Sequence, residues 1–241
     1  MRTLDNVIWQ ALTTRQACFA QASGSARKFL SDVGPLSAFG DGEADGFESL
    51  AALLGDQDVG VLFLEHPYEA REGWEWIAGA TLVRMVGDSA VEAASHANGK
   101  HQLAELGLCD SPEMLELTHL TKPGPFGRRT HELGTYLGIR DGKRLVAMAG
   151  ERLKVQGFTE VSAVCTHPDY LGRGYASTLM LEVMRRIRDR HETPFLHVRG
   201  DNERAIALYE RLGFRTRWTG HFAVLKKAKR GVRANASFES A

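Results

Sequence analysis

The sequence predicts a mixed α/β protein, and three observations carry that prediction. Two short apolar runs, Leu133 to Ile139 and Leu145 to Glu151, flank Asp141-Gly142, a strong signal for a tight hairpin between antiparallel strands. A third apolar run, Phe158 to Thr166, passes through a glycine-bearing turn into Tyr175 to Arg190. There Ala176, Leu179, Met180, Val183 and Ile187 share one helical face, while Arg185, Arg186, Arg188 and Asp189 fall largely elsewhere. The alternation then continues. Phe195 to Val198 reads as a short buried strand, and Asn202 to Leu212 as a helix with Ala205, Leu208, Tyr209 and Leu212 inward. Gly213 is its left-handed stop, and Phe214 to Leu225 supplies one or two last strands.

The N-terminal half is less sharply punctuated. Val7, Ile8, Ala11, Leu12 and Phe19 suit an amphipathic helix over Asn6 to Phe19. Phe29 to Gly46 is broken by Gly34, Pro35, Gly40, Gly42 and Gly46 and reads as irregular. Phe47 to Leu54 reads as a short helix ending at Gly55. Val59 to Glu65 and Trp76 to Val86 are rich in β-branched and aromatic residues and read as strands, with His66 to Gly73 a polar loop between them. Ser89 to Leu106 is alanine-rich and reads as mostly helical. Ser111-Pro112-Glu113 looks like a helix start with serine as the cap, and Thr121-Lys122-Pro123-Gly124-Pro125 ends that element. From Lys226 onward the chain is basic, then small and polar, and is expected to fray.

Bulk properties narrow the function classes. The chain has 241 residues, enough for one large domain or two small ones. Thirty basic side chains cancel thirty acidic ones, so no global field favours nucleic acid or a membrane surface. Cys18, Cys109 and Cys165 are too few and too far apart for a disulfide framework and fit a reducing, cytoplasmic setting. The N-terminus lacks the apolar run of a signal peptide, and no window approaches the ~20 apolar residues of a membrane span. The nine histidines show no metal-ligand spacing, so no metal is expected.

The segment Leu171-Gly172-Arg173-Gly174-Tyr175-Ala176 lies where a strand becomes a helix. Glycines there let the backbone turn tightly and approach a ligand. The unpaired N–H groups at a helix start attract phosphate, and Ser177 adds a hydroxyl. Taken alone, such a turn is as easily a structural bend that binds nothing. A dinucleotide-binding fold fits poorly, because Ser177 stands where the third glycine belongs and an antiparallel hairpin precedes.

About thirty residues on lies Asn202-Glu203-Arg204-Ala205-Ile206-Ala207-Leu208-Tyr209-Glu210-Arg211-Leu212-Gly213-Phe214. The two blocks together, with Val164-Cys165-Thr166-His167-Pro168 before the turn, resemble the GCN5-related N-acetyltransferase (GNAT) superfamily from about Leu133 to Leu225. More loosely they resemble its glycine N-acyltransferase-like branch. One departure is plain: Leu171 stands where the family carries glutamine or arginine, so that position offers a backbone N–H, with Arg173 the nearest replacement charge.

The resemblance implies a GNAT-like mixed, mainly antiparallel central sheet flanked by helices over residues 111–228. Residues 1–110 would form an additional N-terminal α/β lobe, conceivably a degenerate copy, and residues 229–241 a flexible tail. It implies acetyl-CoA or another acyl-CoA as co-substrate and a small-molecule or peptide primary amine as acceptor, attacked directly in a ternary complex. Val164, Cys165 and Thr166 would pair with the pantetheine arm where the strand parts from Phe195 to Val198. Leu171, Gly172, Arg173, Gly174, Tyr175, Ala176 and Ser177 would hold the pyrophosphate, and Asn202 would cap its helix and touch the pantetheine arm. Glu160, eleven residues before Leu171, is the first candidate for the base; Glu151, His119 and a relayed water are the others. Tyr209 is the candidate acid for the leaving thiolate, or a ring packed in the core. Cys165 reads as a small core residue, not a nucleophile. The Pro123-Gly124-Pro125-Phe126 loop would wall the acceptor cleft. The departure at Leu171 leaves a second reading open, a non-catalytic acyl-CoA sensor.

Overall fold

The computed structural model describes residues 2–40, 43–87 and 102–228. In chain order its elements are α1 (Val7–Thr13), β1 (Ala20–Ser23), β2 (Ala26–Phe29), β3 (Ser37–Phe39), α2 (Glu43–Leu53), β4 (Gly60–Leu64), β5 (Trp74–Gly87), β6 (Leu103–Leu106), α3 (Ser111–Thr121), β7 (Tyr136–Asp141), β8 (Arg144–Val155), β9 (Phe158–Thr166), α4 (Tyr175–Asp189), β10 (Thr193–Arg199), α5 (Glu203–Arg211) and β11 (Phe214–Lys227).

The Asp141-Gly142 signal closes the β7–β8 hairpin, with Asp141 opposite Arg144 and Gly142 at φ 57°. Eight strands form one sheet in the order β4-β11-β5-β10-β9-β8-β7-β6. Every neighbouring pair is antiparallel except β9–β10. Helix α4 buries Leu179, Met180, Val183, Met184 and Ile187 against Leu137, Val161 and Leu196, and Ala205, Leu208 and Tyr209 of α5 join that core. Each of the five fully buried α4 side chains contributes roughly 1.5–3 kcal/mol. Neighbouring strand residues point to opposite faces. Phe195 accordingly packs with α1 and Leu153, and Tyr136 and Cys165 pack with Met114 and Leu117 of α3. So α4 and α5 cover one face, and α1 and α3 the other.

Strands from both sides of residue 110 share this sheet, so the boundary expected there separates no two sheets. The fourteen-residue β5 carries ladder hydrogen bonds on both edges, with β10 and with β11, and these satisfy backbone groups a separate lobe would leave open. A small sheet of β1, β2 and β3 stands apart, with Leu36 bridging to Val61 of β4.

Several local expectations are corrected. Residues 29–46 are not wholly irregular: they hold β3 and the start of α2, which begins at Glu43. The first helix stops at Thr13, and Ala17–Phe19 forms a separate 3-10 turn. Most of the Ser89 to Leu106 helix lies outside the described residues, but Leu103–Leu106 is strand, because it pairs with β7. Asp110 rather than Ser111 is the N-cap of α3, and the Ser111 hydroxyl donates to the Arg128 carbonyl at 2.8 Å. Leu133 ends a 3-10 turn ahead of β7. The tail from residue 229 lies outside the described residues.

Candidate active site

Strand β9 ends at Thr166, and a 3-10 turn over Pro168–Tyr170, with His167 as its N-cap, leads to the glycine turn. Gly172 and Gly174 both occupy the left-handed region, at φ 77° and 82°, and a Cβ at either would point into open space. Gly174 is the N-cap of α4, and no side chain caps that helix. A fifteen-residue helix thus presents its positive end at an open, slender turn, which suits an anion. Leu171 is 51% exposed and contributes no charge. Arg173 folds back, its guanidinium carbon 4.6 Å from the centre of the Tyr170 ring. Tyr170 is held in turn by its hydroxyl, which donates to Asp141 at 2.6 Å.

The sheet opens beside this turn. β10 pairs with β9 only through Thr193↔Phe158, Pro194↔Thr159 and Phe195↔Glu160. From Leu196 to Arg199 it pairs with β5 alone, so the β9 edge from Val161 to Thr166 faces no strand on that side. Val164, Cys165 and Thr166 all lie on this free length. A β-bulge marks the parting: Met148 opposes Cys165 but Gly150 opposes Ser162, which puts one extra residue in β9, and Ala163 takes φ 52°. Sequence reasoning missed the bulge, since nothing distinguishes an alanine in an apolar run.

The Asn202 side chain accepts from the Ala205 N–H at 3.1 Å, so its capping role holds. Tyr209 packs edge-on against Phe214, centroids 6.2 Å apart, and burial pushes its phenol up to about 12. Its hydroxyl has no hydrogen-bond partner among the described residues. It joins the core and still keeps a protonated donor. Burial pushes the Cys165 thiol up to about 11, so it stays a neutral core thiol.

Glu160 does not sit as a base should. It is fully buried, and Arg152 grips it with two hydrogen bonds of 2.8 and 2.7 Å. The Leu153 N–H adds a third at 3.2 Å, and His197 Nδ1 lies 2.6 Å from the other oxygen. Burial alone would raise this carboxyl, but the charge and hydrogen bonds of Arg152, with His197, outweigh it and hold it far below the carboxylate range. A carboxylate so stabilised, with its oxygens filled, does not take a proton from an amine. Arg84 Nε donates to His197 Nε2 at 2.9 Å. Arginine only donates, so His197 must carry its proton on Nδ1 and give it to Glu160. Burial pushes this imidazole down to about 4, against the pull of Glu160. Arg84 stacks 4.6 Å over the Trp218 ring and donates to the Leu4 carbonyl.

Glu151 is also buried and doubly paired, with Arg190 at 2.7 Å and Lys154 at 2.9 Å. His119 is exposed, on a hollow of about 330 Å³ lined by Thr118, His119, Lys122, Gly124, Pro125 and Phe126. The expected Pro123 to Phe126 loop is therefore one of its walls. Phe126 packs on the cluster holding Tyr136, Ala163 and Cys165, which places the hollow on the α3 face of the sheet. The Tyr136 hydroxyl is buried there without a partner among the described residues. No group of metal-binding side chains occurs among the described residues, and no helix among them is long and apolar enough to cross a membrane.

The FR47-like protein family model matches residues 136–223, the stretch from β7 into β11. A search of curated proteins gave no match. A crystal structure of a GNAT-family protein from Novosphingobium aromaticivorans is 36% identical, with 94% of this chain and 99% of that one covered and a TM-score of 0.85. The GCN5-related N-acetyltransferase from Kribbella flavida shares the fold at 16% identity, covering 92% of this chain and 96% of its own, with a TM-score of 0.62. A GCN5-related N-acetyltransferase-like protein from Streptococcus suis does so at 15% identity, covering 92% of each, with a TM-score of 0.59. Over a parted parallel strand pair and an uncapped glycine turn, the likeness extends along nearly the whole chain, which belongs to the GNAT family.

Proposed function

We propose that this protein transfers an acyl group, acetyl in the simplest case, from acyl-CoA to a primary amine by direct attack in a ternary complex. The observation that carries the reading is the coupling of two open features by one strand. β9 offers unpaired backbone along Val164 to Thr166 and then runs into the uncapped start of α4. An extended amide-bearing arm would add to the first as a strand adds to a sheet edge. A diphosphate would sit on the second, near Gly172 to Ser177. The open space at Gly172 and Gly174 leaves room for that group.

Tyr209 is the acid group for the leaving thiolate: its phenol, raised to about 12, stays protonated at neutral pH and stabilises the sulfur by donating a hydrogen bond to it, the proton on the departing thiol being made good from solvent. The amine loses its proton to His119 or to a water chain reaching the hollow, because Glu160 and Glu151 are both locked in ion pairs. The acceptor enters from the α3 face through the hollow. The motif-bearing half being C-terminal supports the likeness to the glycine N-acyltransferase branch. The exposed Leu171 supports the alternative of a sensor that binds acyl-CoA without turnover. Calorimetry with acetyl-CoA, followed by a panel of amines with thiol release as readout, separates the two. Micromolar binding with thiol release on one amine supports transfer, binding with no release from any amine supports the sensor, and no binding at millimolar acetyl-CoA refutes both.

A further inference from the structure

Backbone pairing between β9 and β10 ends at Phe195↔Glu160. One side-chain bond takes over where it stops. His197 stands two residues further along β10, in the parted region, and its Nδ1 reaches back 2.6 Å to the Glu160 carboxylate. The bond crosses the vertex on the face covered by α1 and α3, since Glu160 and His197 both alternate away from the α4 core that holds Val161, Leu196 and Val198.

Both ends of this bridge are fixed. Arg152 of β8 holds Glu160 in a fork, and the Leu153 N–H adds to it. Arg84 of β5 holds the far nitrogen of His197, and the rings of Phe63 and Phe195 pack 4.6 and 5.7 Å from the imidazole. The His197 and Glu160 side chains are 2% and 1% exposed. Four adjacent strands are thereby tied together at the narrow end of the opening. The bridge has no free lone pair or proton with which to serve the chemistry, and it spans the narrow end of the opening.

We propose that the Glu160–His197 bridge is the floor of the acyl slot and sets the length of acyl chain the cleft accepts, a role that rests on the acyl-CoA reading above. Both are positioning residues. The imidazole stands over the vertex as a rigid plug, and removing it lengthens the slot by about the room of a short alkyl extension.

The test is calorimetric and needs no acceptor. Dissociation constants of acetyl-CoA and butyryl-CoA are measured for the full chain and for His197→Ala. In the variant the affinity for butyryl-CoA relative to acetyl-CoA should rise about tenfold, the effect of burying two further methylenes. A folded variant whose ratio stays within twofold of the wild type overturns the proposal. Should His197→Ala not fold, as judged by circular dichroism, His197→Asn is measured under the same criteria; it retains an amide for Glu160 while withdrawing from the vertex. Wild-type protein that binds neither thioester refutes the acyl-CoA reading and the floor with it. Wild-type binding with an unchanged ratio refutes the floor alone.

Discussion

Acidification should weaken the fold through His197 before it protonates the carboxylates. In the folded chain this imidazole is neutral, clamped between an Arg84 donor and the Glu160 carboxylate, and burial takes its pKa from 6.5 to about 4. The unfolded chain binds a proton near pH 6.5, whereas the folded chain does not until about pH 4. Between those values the unfolded state holds more protons, so stability falls as pH falls. The stabilisation is complete above pH 6.5, is lost progressively toward pH 4, and falls no further below it on account of this group. At ~1.4 kcal/mol per pH unit the loss is about 3 kcal/mol, an appreciable part of the ~5–15 kcal/mol of a typical domain. The side chain is 2% exposed, so solvent screening does not erode this figure. Glu160 acts in a lower window: its folded pKa is depressed, so its contribution is present above the usual carboxylate range and is lost as pH falls below it. Urea midpoints between pH 8 and pH 4 resolve the first window. His197→Gln keeps a donor for Glu160 and an acceptor for Arg84 but cannot titrate. The variant should be less stable at pH 7.5 and nearly flat from pH 6.5 to 5, where the wild type slopes. A flat wild type, or a variant with the wild-type slope, refutes the argument.

Three further outcomes are expected. Gly174→Ala keeps a left-handed φ of 82° that alanine adopts only at a cost of about 1–2 kcal/mol, and it adds a methyl to the anion cradle. Its melting temperature should fall, and the acetyl-CoA dissociation constant should rise about tenfold by calorimetry; unchanged affinity removes the turn from the cofactor site. Tyr209→Phe should lower turnover by about 100-fold, as loss of a general acid does, with acetyl-CoA affinity within twofold of wild type; an undiminished rate of thiol release takes Tyr209 out of the chemistry. In Gly150→Ala the new Cβ would run into the Tyr136 ring, so overpacking should cost about 1–3 kcal/mol in urea denaturation; wild-type stability would show that the ring gives way freely.

What was legible in the sequence was whatever local chemistry decides. Asp141-Gly142 closes the hairpin because glycine takes φ 57° there without strain. Gly172 and Gly174 bend the chain ahead of α4, and Asn202 caps α5, for reasons contained in a few neighbouring residues. Partners that are distant along the chain were not legible. β5 enters the sheet between β10 and β11, more than a hundred residues away, and no local signal in Trp74–Gly87 names those neighbours. The short strands Ala26–Phe29 and Ser37–Phe39 hold because they pair with each other, although the glycines and proline around them read as breakers. Glu160 was misread for the same cause. Its spacing to the glycine turn suggested a base, whereas its role follows from Arg152 and His197. A usable signal existed: Arg84, Arg152, Glu160 and His197 are ionisable residues in the middle of apolar strands, and such residues persist in a core only when they meet one another.

That requirement explains why so much charge sits at the vertex. A sheet that opens between two parallel strands gives up backbone hydrogen bonds along the opening, and the split would extend unless something stronger than a single ladder rung stopped it. Neutral hydrogen bonds contribute about 0.5–1.5 kcal/mol each, while removing one partner of a buried ion pair costs about 3–5 kcal/mol. The Arg152–Glu160 ion pair joins β8 to β9, and hydrogen bonds to charged groups, worth about 1.5–3 kcal/mol each, carry the chain of contacts through neutral His197 to β10 and on to Arg84 of β5, beginning at the last backbone pair. The network is better understood as resisting further opening than as adding net stability, since burying these charges is itself expensive. Glu160, expected as the base, belongs instead to this network. The opening is stopped at a fixed depth by groups that keep their protons at neutral pH, and in the proposed reaction proton transfer falls to His119 or water at the hollow and to Tyr209 on α5.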